Sequence, residues 1–152
     1  MFNQLVKVSC LMFMVLAGYG CAANRMSSPQ NTMVSELDSA ETDEIKGLIA
    51  QYANALSRKD LAAIDGLYAD KLSEKAYQSL ERYFDDVERL TVHISDVHVG
   101  VQSDGVVCAS FVRTDDIVDA ATEDAATLTI SAMMIVERRS GAWKIVRLKK
   151  PS

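Results

Sequence analysis

Polar and apolar residues change their rhythm once along this chain, near residue 90. Before that point the apolar positions recur every three or four residues. In TDEIKGLIAQYANALSRKD, the residues Ile45, Leu48, Ile49, Tyr52, Ala55 and Leu56 form one stripe and predict an amphipathic helix. Thr42 or Asp43 would cap it, and the acids Asp43 and Glu44 suit the positive end of its dipole. DLAAIDGLYAD gathers Leu61, Ile64, Leu67 and Tyr68 behind Asp60 as a cap. SEKAYQSLERYFDDVERL starts at Ser73 and aligns Tyr77, Leu80, Phe84 and Val87, which predicts a third helix.

After residue 90 the period becomes two. LTVHISDVHVGVQSDG sets Leu90, Val92 and Ile94 on one face, then Val97, Val99 and Val101; the register slips by one at Ser95-Asp96, as a bulge would make it do. Ser103-Asp104-Gly105 predicts a turn into a second strand, VVCASFVRTDD. TLTISAMMIVERR, from about Thr127, reads as a third strand, and Ser140-Gly141 closes a hairpin into a fourth, AWKIVRLKK. The predicted class is α+β, with three N-terminal helices packed in a curved four-stranded antiparallel sheet.

Ahead of this domain, MFNQLVK carries the cation Lys7 and no acid, and VSCLMFMVLAGYG runs from Val8 to Gly20 without a charge. A cationic head, a short apolar centre and a small-residue end make a secretory signal, because about 20 apolar residues are needed to span a membrane. Its end resembles a bacterial lipoprotein signal: Leu16-Ala17-Gly18 approximates the box and Gly20 precedes Cys21, with Tyr19-Gly20 inserted between. The resemblance implies cleavage before Cys21 and lipid on its thiol and amine, with Ala22 suiting delivery to the periplasmic face of the outer membrane. Ordinary cleavage after Ala23, giving a soluble periplasmic or secreted protein, is the alternative. The expected organisation is a signal over 1–20, a lipidated cysteine and polar tether over 21–41, and one domain over 42–150.

The formal charge is −5, and fifteen basic residues face twenty-one acidic ones once Lys7 is removed with the signal. That balance and the export signal both argue against nucleic acid as a partner. Of the three cysteines, Cys10 lies in the signal and Cys21 at its end; Cys108, in VVCASF, reads as a small core residue. His93 and His98 alternate with apolar neighbours and are expected to face outward. Asp115, Asp116, Asp119, Glu123 and Asp124 read as a solvated hairpin end, without the spaced ligands and glycine turn that calcium needs. No metal and no cofactor are expected. Arg138, Arg139, Lys144, Arg147, Lys149 and Lys150 concentrate on the last two strands, either as a docking face or as charge protecting a sheet edge. The central strands are apolar on both faces, so one face lines the core and the other must be covered by a second copy or another protein.

LIAQYANALSRKDLAAIDGLYAD resembles the opening of the nuclear transport factor 2-like, or SnoaL-like, fold, and GAWKIVRL is similar to its final strand. The resemblance covers about Glu44 to Leu148. It implies a cone, a bent sheet around helices with a pocket at the open end, and often a homodimer through the outer sheet face. In enzymes of the fold a pocket Asp removes a proton while a Tyr and an acid stabilise the oxyanion. Carried onto this chain, Tyr52 is the weak catalytic candidate, and Tyr52 and Tyr68 are the pocket candidates. Tyr at this place is more often a packing residue with its hydroxyl at the wet end, and Asp70 reads as a helix-end or loop charge. The expected function is an envelope-anchored binding or scaffolding module serving cell-envelope maintenance. The alternatives are a small-molecule enzyme of isomerase or dehydratase type, or a carrier of a small hydrophobic ligand in the cone.

Overall fold

A computed structural model describes residues 37–102 and 104–149; the signal pattern, Cys10, Cys21, the tether as far as residue 36 and Lys150 lie outside them. Three helices come first: α1 (Ser39–Ser57), α2 (Leu61–Leu67) and α3 (Glu74–Asp86). Four strands follow, β1 (Val87–Val101), β2 (Val107–Asp119), β3 (Ala125–Arg139) and β4 (Ala142–Lys149), joined in sequence order into one antiparallel sheet. The predicted α+β class is thus the observed one.

Local chemistry explains most of the boundaries. Asp60 and Ser73 cap α2 and α3, as predicted, by accepting from the backbone N–H groups of Ala63 and Ala76. α1 begins earlier than predicted, because Asp38 rather than Thr42 or Asp43 is its cap. The Asp38 carboxylate accepts from Glu41 N at 2.7 Å and the Glu41 carboxylate reaches back to Asp38 N at 3.3 Å, a reciprocal capping box. Val87 fits the helical stripe of α3 yet is the first residue of β1, so α3 ends at Asp86.

The turns follow residues able to take positive φ. Gly105 (φ 81°) donates its N–H to Gln102 O in the first hairpin, and Ser140 (φ 50°) and Gly141 (φ 84°) form the two-residue turn of the last. The acids from Asp115 to Asp119 are strand residues, so the second hairpin turns only after Asp119. Its carboxylate accepts from Ala121 N and Thr122 N, which holds it below the usual carboxylate range.

Curvature comes from β1. Its pairing with β2 slips between Ser95 and His98, where Asp96 takes φ 52°, and the sheet bends around the predicted bulge. Ile45, Leu48, Ile49, Tyr52, Ala53, Ala55 and Leu56 of α1 face into this bend and meet Leu90, Val92, Ala109, Phe111, Met134 and Ile145 from the strands. Each large aliphatic side chain so buried contributes about 1.5–3 kcal/mol. Two polar ties fix α1 and α3 to the sheet. Ser57 Oγ accepts from Val92 N at 2.9 Å, and the Lys59 ammonium donates to Phe84 O and Val87 O at 3.1 and 2.6 Å, closing the end of α3.

Candidate functional site

β2 places Ala109, Phe111, Arg113, Asp115 and Ile117 on its inward face, since residues two apart share a side of a strand. The apolar series is therefore interrupted at its centre by a full ion pair. Arg113 is 4% exposed and Asp115 1%. Arg113 Nε donates to Asp115 Oδ1 at 2.7 Å and its Nη2 donates to Oδ2, a bidentate fork. Arg113 Nη1 points to the Tyr52 hydroxyl at 3.4 Å, from a strand to a helix 61 residues away in sequence.

Three tyrosines surround the pair. Tyr52 comes from the inward stripe of α1, Tyr68 from the end of α2 and Tyr83 from α3. Burial raises the pKa of all three above the ordinary tyrosine value. For Tyr52 the Arg113 charge opposes the rise and Asp115 adds to it; for Tyr68 proximity to Tyr52 adds to it. Tyr83 is pushed up to about 12 by burial, with Asp115 adding to the effect. The hydroxyls stay neutral and able to donate. Burial works against the Arg113 charge, but the bidentate Asp115 carboxylate outweighs it, so the guanidinium is held in its charged form.

The walls beside the pair are apolar and only half covered. Arg113 lies between Ile94 of β1 and Ile130 of β3, and Asp115 between Val92 and Leu128. Ile94, Leu128 and Ile130 keep partial exposure: Ile94 lies on the edge strand β1, and β4 pairs only with Met133 to Arg139, which leaves the start of β3 as an open edge. Half-covered apolar residues thus lie beside a buried charged pair. A bidentate Arg–Asp pair under a neutral Tyr can hold a polar group of a ligand by hydrogen bonds. Both oxygens of Asp115 already accept from Arg113, which makes the carboxylate a poor general base.

Of the candidates named from sequence, Tyr52 and Tyr68 are brought together. The Tyr52 hydroxyl, though, sits against Arg113 in the interior and not at a wet end. Asp115 is corrected from a solvated hairpin acid to a buried ion-pair partner, because the strand continues through it and its alternation turns it inward. Arg113 was missed altogether; the signal for it is the i, i+2 series Ala109, Phe111, Arg113, Asp115, Ile117, which carries the core face through two charges. His93 and His98 face outward as expected, His93 Nε2 lying 3.5 Å from Asp116. Asp70 is exposed and 3.9 Å from Arg139. Cys108 is only half buried, with Ser110 and Val112, on the outer sheet face.

The basic strand residues divide. Arg138 stacks 5.1 Å over Trp143 and pairs with Glu44 at 2.6 Å, and Lys144 donates to Gly66 O at 2.6 Å. These cations hold helices to the sheet, while Arg147 and Lys149 remain exposed. A shallow cavity of about 300 Å³ lies at the other end of the sheet, between Arg89, Thr91, Asp116, Val118 and Thr127. There the Thr127 hydroxyl donates to Asp116 at 2.6 Å. Among the described residues no three His, Cys, Asp or Glu side chains converge to hold a metal.

Solved structures with the same architecture include a hexachlorocyclohexane dehydrochlorinase of type 3 from Novosphingobium barchaimii (13% identity, TM-score 0.64, 74% of this chain and 86% of that one). A candidate scytalone dehydratase from Novosphingobium aromaticivorans matches at 14% identity and TM-score 0.64, over 72% and 82% of the two chains. A candidate calcium/calmodulin-dependent protein kinase II association domain from Xanthomonas campestris matches at 17% and 0.60, over 72% and 85%. At these identities the likeness is one of fold. No curated protein matches the chain. Residues 45–149, the greater part of the sequence and every element from the middle of α1 onward, match the family model of the SnoaL-like domain, and the chain belongs to that family.

Proposed function

We propose that this domain binds a small, largely apolar molecule at the open side of the cone, with the ligand's polar group on Tyr52 and Arg113. One observation carries the reading. A complete ion pair lies buried on the inward face of β2 beside the half-covered apolar residues Ile94, Leu128 and Ile130. Burying two charges costs several kcal/mol per ion before their attraction offsets it, and an apolar pair would fill the same place at no such cost. Charged groups converging under an apolar rim fit a ligand site. The signal pattern ending at Cys21 supports an address at the periplasmic face of the outer membrane, held by lipid.

The test is native mass spectrometry of the full chain purified in detergent from its own host. A bound mass of a few hundred daltons is expected, the size that cavities of this kind accept. It should be absent from the double variant Arg113→Met/Asp115→Leu, with folding checked by circular dichroism. A wild-type protein that carries nothing and gains no thermal stability from a panel of small apolar compounds would sink the proposal.

Elimination chemistry is a second reading, favoured by the dehydrochlorinase and the candidate dehydratase among the structural relatives. A neutral Tyr52 hydroxyl is a fitting acid or electrophile for it, but Asp115 is held at both oxygens and the histidines face outward. Tyr52→Phe separates the two: turnover should fall about 10²–10⁴-fold for an enzyme, whereas a carrier loses only part of its affinity. A scaffold role would use the outer face, where Cys108, Val112, Met133 and Ile135 are half covered. The same mass spectrum would then show a homodimer or a complex with an envelope protein.

A further inference from the structure

We infer that the first half of β3 is a docking edge for a second copy of this chain, joining two four-stranded sheets edge to edge. β4 pairs with β3 only from Met133 to Arg139, so among the described residues no strand lies beside Ala125 to Ala132 on that side. Such an edge offers its backbone N–H and C=O groups to another strand, and proteins ordinarily guard it with charge, proline or a bulge. The other free edges are guarded. β1 carries Glu88, Arg89 and Asp96 and a bulge between Ser95 and His98; β4 carries Lys144, Arg147 and Lys149 and an irregularity opposite Ile135 and Val136. From Ala125 to Val136, by contrast, β3 has no charge and no proline, and Thr127, Thr129 and Ile130 favour the extended chain.

The occupant is a second copy because the edge complements itself in pattern and in charge. Leu128 and Ile130 are half covered on the inner face, and Thr127 and Thr129 are exposed on the outer one. In an antiparallel pairing about a two-fold axis at Leu128, that residue meets Leu128 of the second copy. Thr127 then meets the second copy's Thr129, and Ala126 its Ile130, so each face meets its like. A centre further along β3 is blocked, since Lys149 already holds the place opposite Met133. The same axis sets Asp124 of one copy beside Ala132 of the other, next to Lys149 where β4 ends. Both are exposed, and neither has an ion-pair partner among the described residues. Two-fold symmetry repeats this contact of acid with base at both ends of the shared ladder.

Site-directed cross-linking of the full chain in detergent decides the matter, with a short bifunctional maleimide and Cys108→Ser as the background variant. Thr129→Cys, on the edge, is expected to give a linked dimer well above that background. Thr114→Cys, in the middle of the outer face, is not, and neither is the unaltered chain through Cys108. Asp124→Lys or Lys149→Glu should each lower the Thr129→Cys yield several-fold, because like charges then meet at both ends of the ladder. The two together should restore it, an outcome that a merely structural role of either residue would not produce. Circular dichroism confirms that these exposed substitutions leave the fold intact. Linking through Thr114→Cys or Cys108 in place of Thr129→Cys would move the contact to the outer face and overturn the edge. So would the absence of linking at every position, or a yield indifferent to the charge variants. The small-molecule reading of the buried pair stands or falls separately from all of these.

Discussion

Arg113 and Asp115 have exchanged water for one another, and the cost of separating them is the largest single-residue effect expected in this protein. Arg113→Met or Asp115→Leu alone leaves a bare charge in the interior and should lower stability by about 3–5 kcal/mol. The double variant removes both charges and should recover most of that loss in urea unfolding; a double variant as weak as the sum of the singles would contradict the pairing. The tyrosines give a pH dependence of definite sign. Their folded pKa values lie above the unfolded value of about 10, so above that pH the unfolded chain gives up protons that the folded one retains. Stability is fully present below pH 10 and is lost as the pH rises toward and beyond 12, where Tyr83 ionises. The phenolate absorbance of these three tyrosines should appear together with loss of near-ultraviolet circular dichroism, and a gradual rise in a still-folded protein would count against their burial.

At the scale of elements, junctions matter more than interiors. Lys59 adopts φ 55° in order to end α1, and from there its ammonium closes the α3–β1 junction at Phe84 O and Val87 O. Lys59→Met keeps the aliphatic stem and loses the charge-assisted hydrogen bonds, which should cost about 1.5–3 kcal/mol in urea unfolding. Lys59→Gly also loses them but relaxes the left-handed backbone, and should be less destabilising by about 1 kcal/mol. If the order of the two variants reverses, the backbone strain is not being relieved. The sequence made some of these junctions readable and others not. Asp60 and Ser73 stand directly before short apolar stripes and act as the caps they look like. Asp38 was passed over because its capping box precedes the apolar stripe by several residues. Val87 satisfies the helical spacing of α3 and the core face of β1 alike, and sequence spacing alone does not separate the two.

For the whole molecule, the proposed address makes a direct prediction: Cys21→Ser should move the protein from the membrane to the soluble fraction and abolish incorporation of labelled fatty acid. Retention in the membrane would show that something other than a thioether-linked lipid holds it. Hydrophobic rhythm along the chain determined the succession of three helices and four antiparallel strands and the bulge near Asp96, because side-chain period and turn chemistry are local properties; the SnoaL-like membership was legible through the resemblance of LIAQYANALSRKDLAAIDGLYAD and GAWKIVRL to that family. It likewise turned His93 and His98 outward. The site was decided by the tertiary structure. Asp115 looks like the start of a charged hairpin, and Arg113 carries no sign of a role, until β3 pairs along their whole strand and carries it inward. Tyr52 then meets Arg113 only because the bent sheet folds over α1, across 61 residues of sequence. Whether a charge is solvated or paired depends on which distant surfaces close over it, and no local pattern encodes that closure.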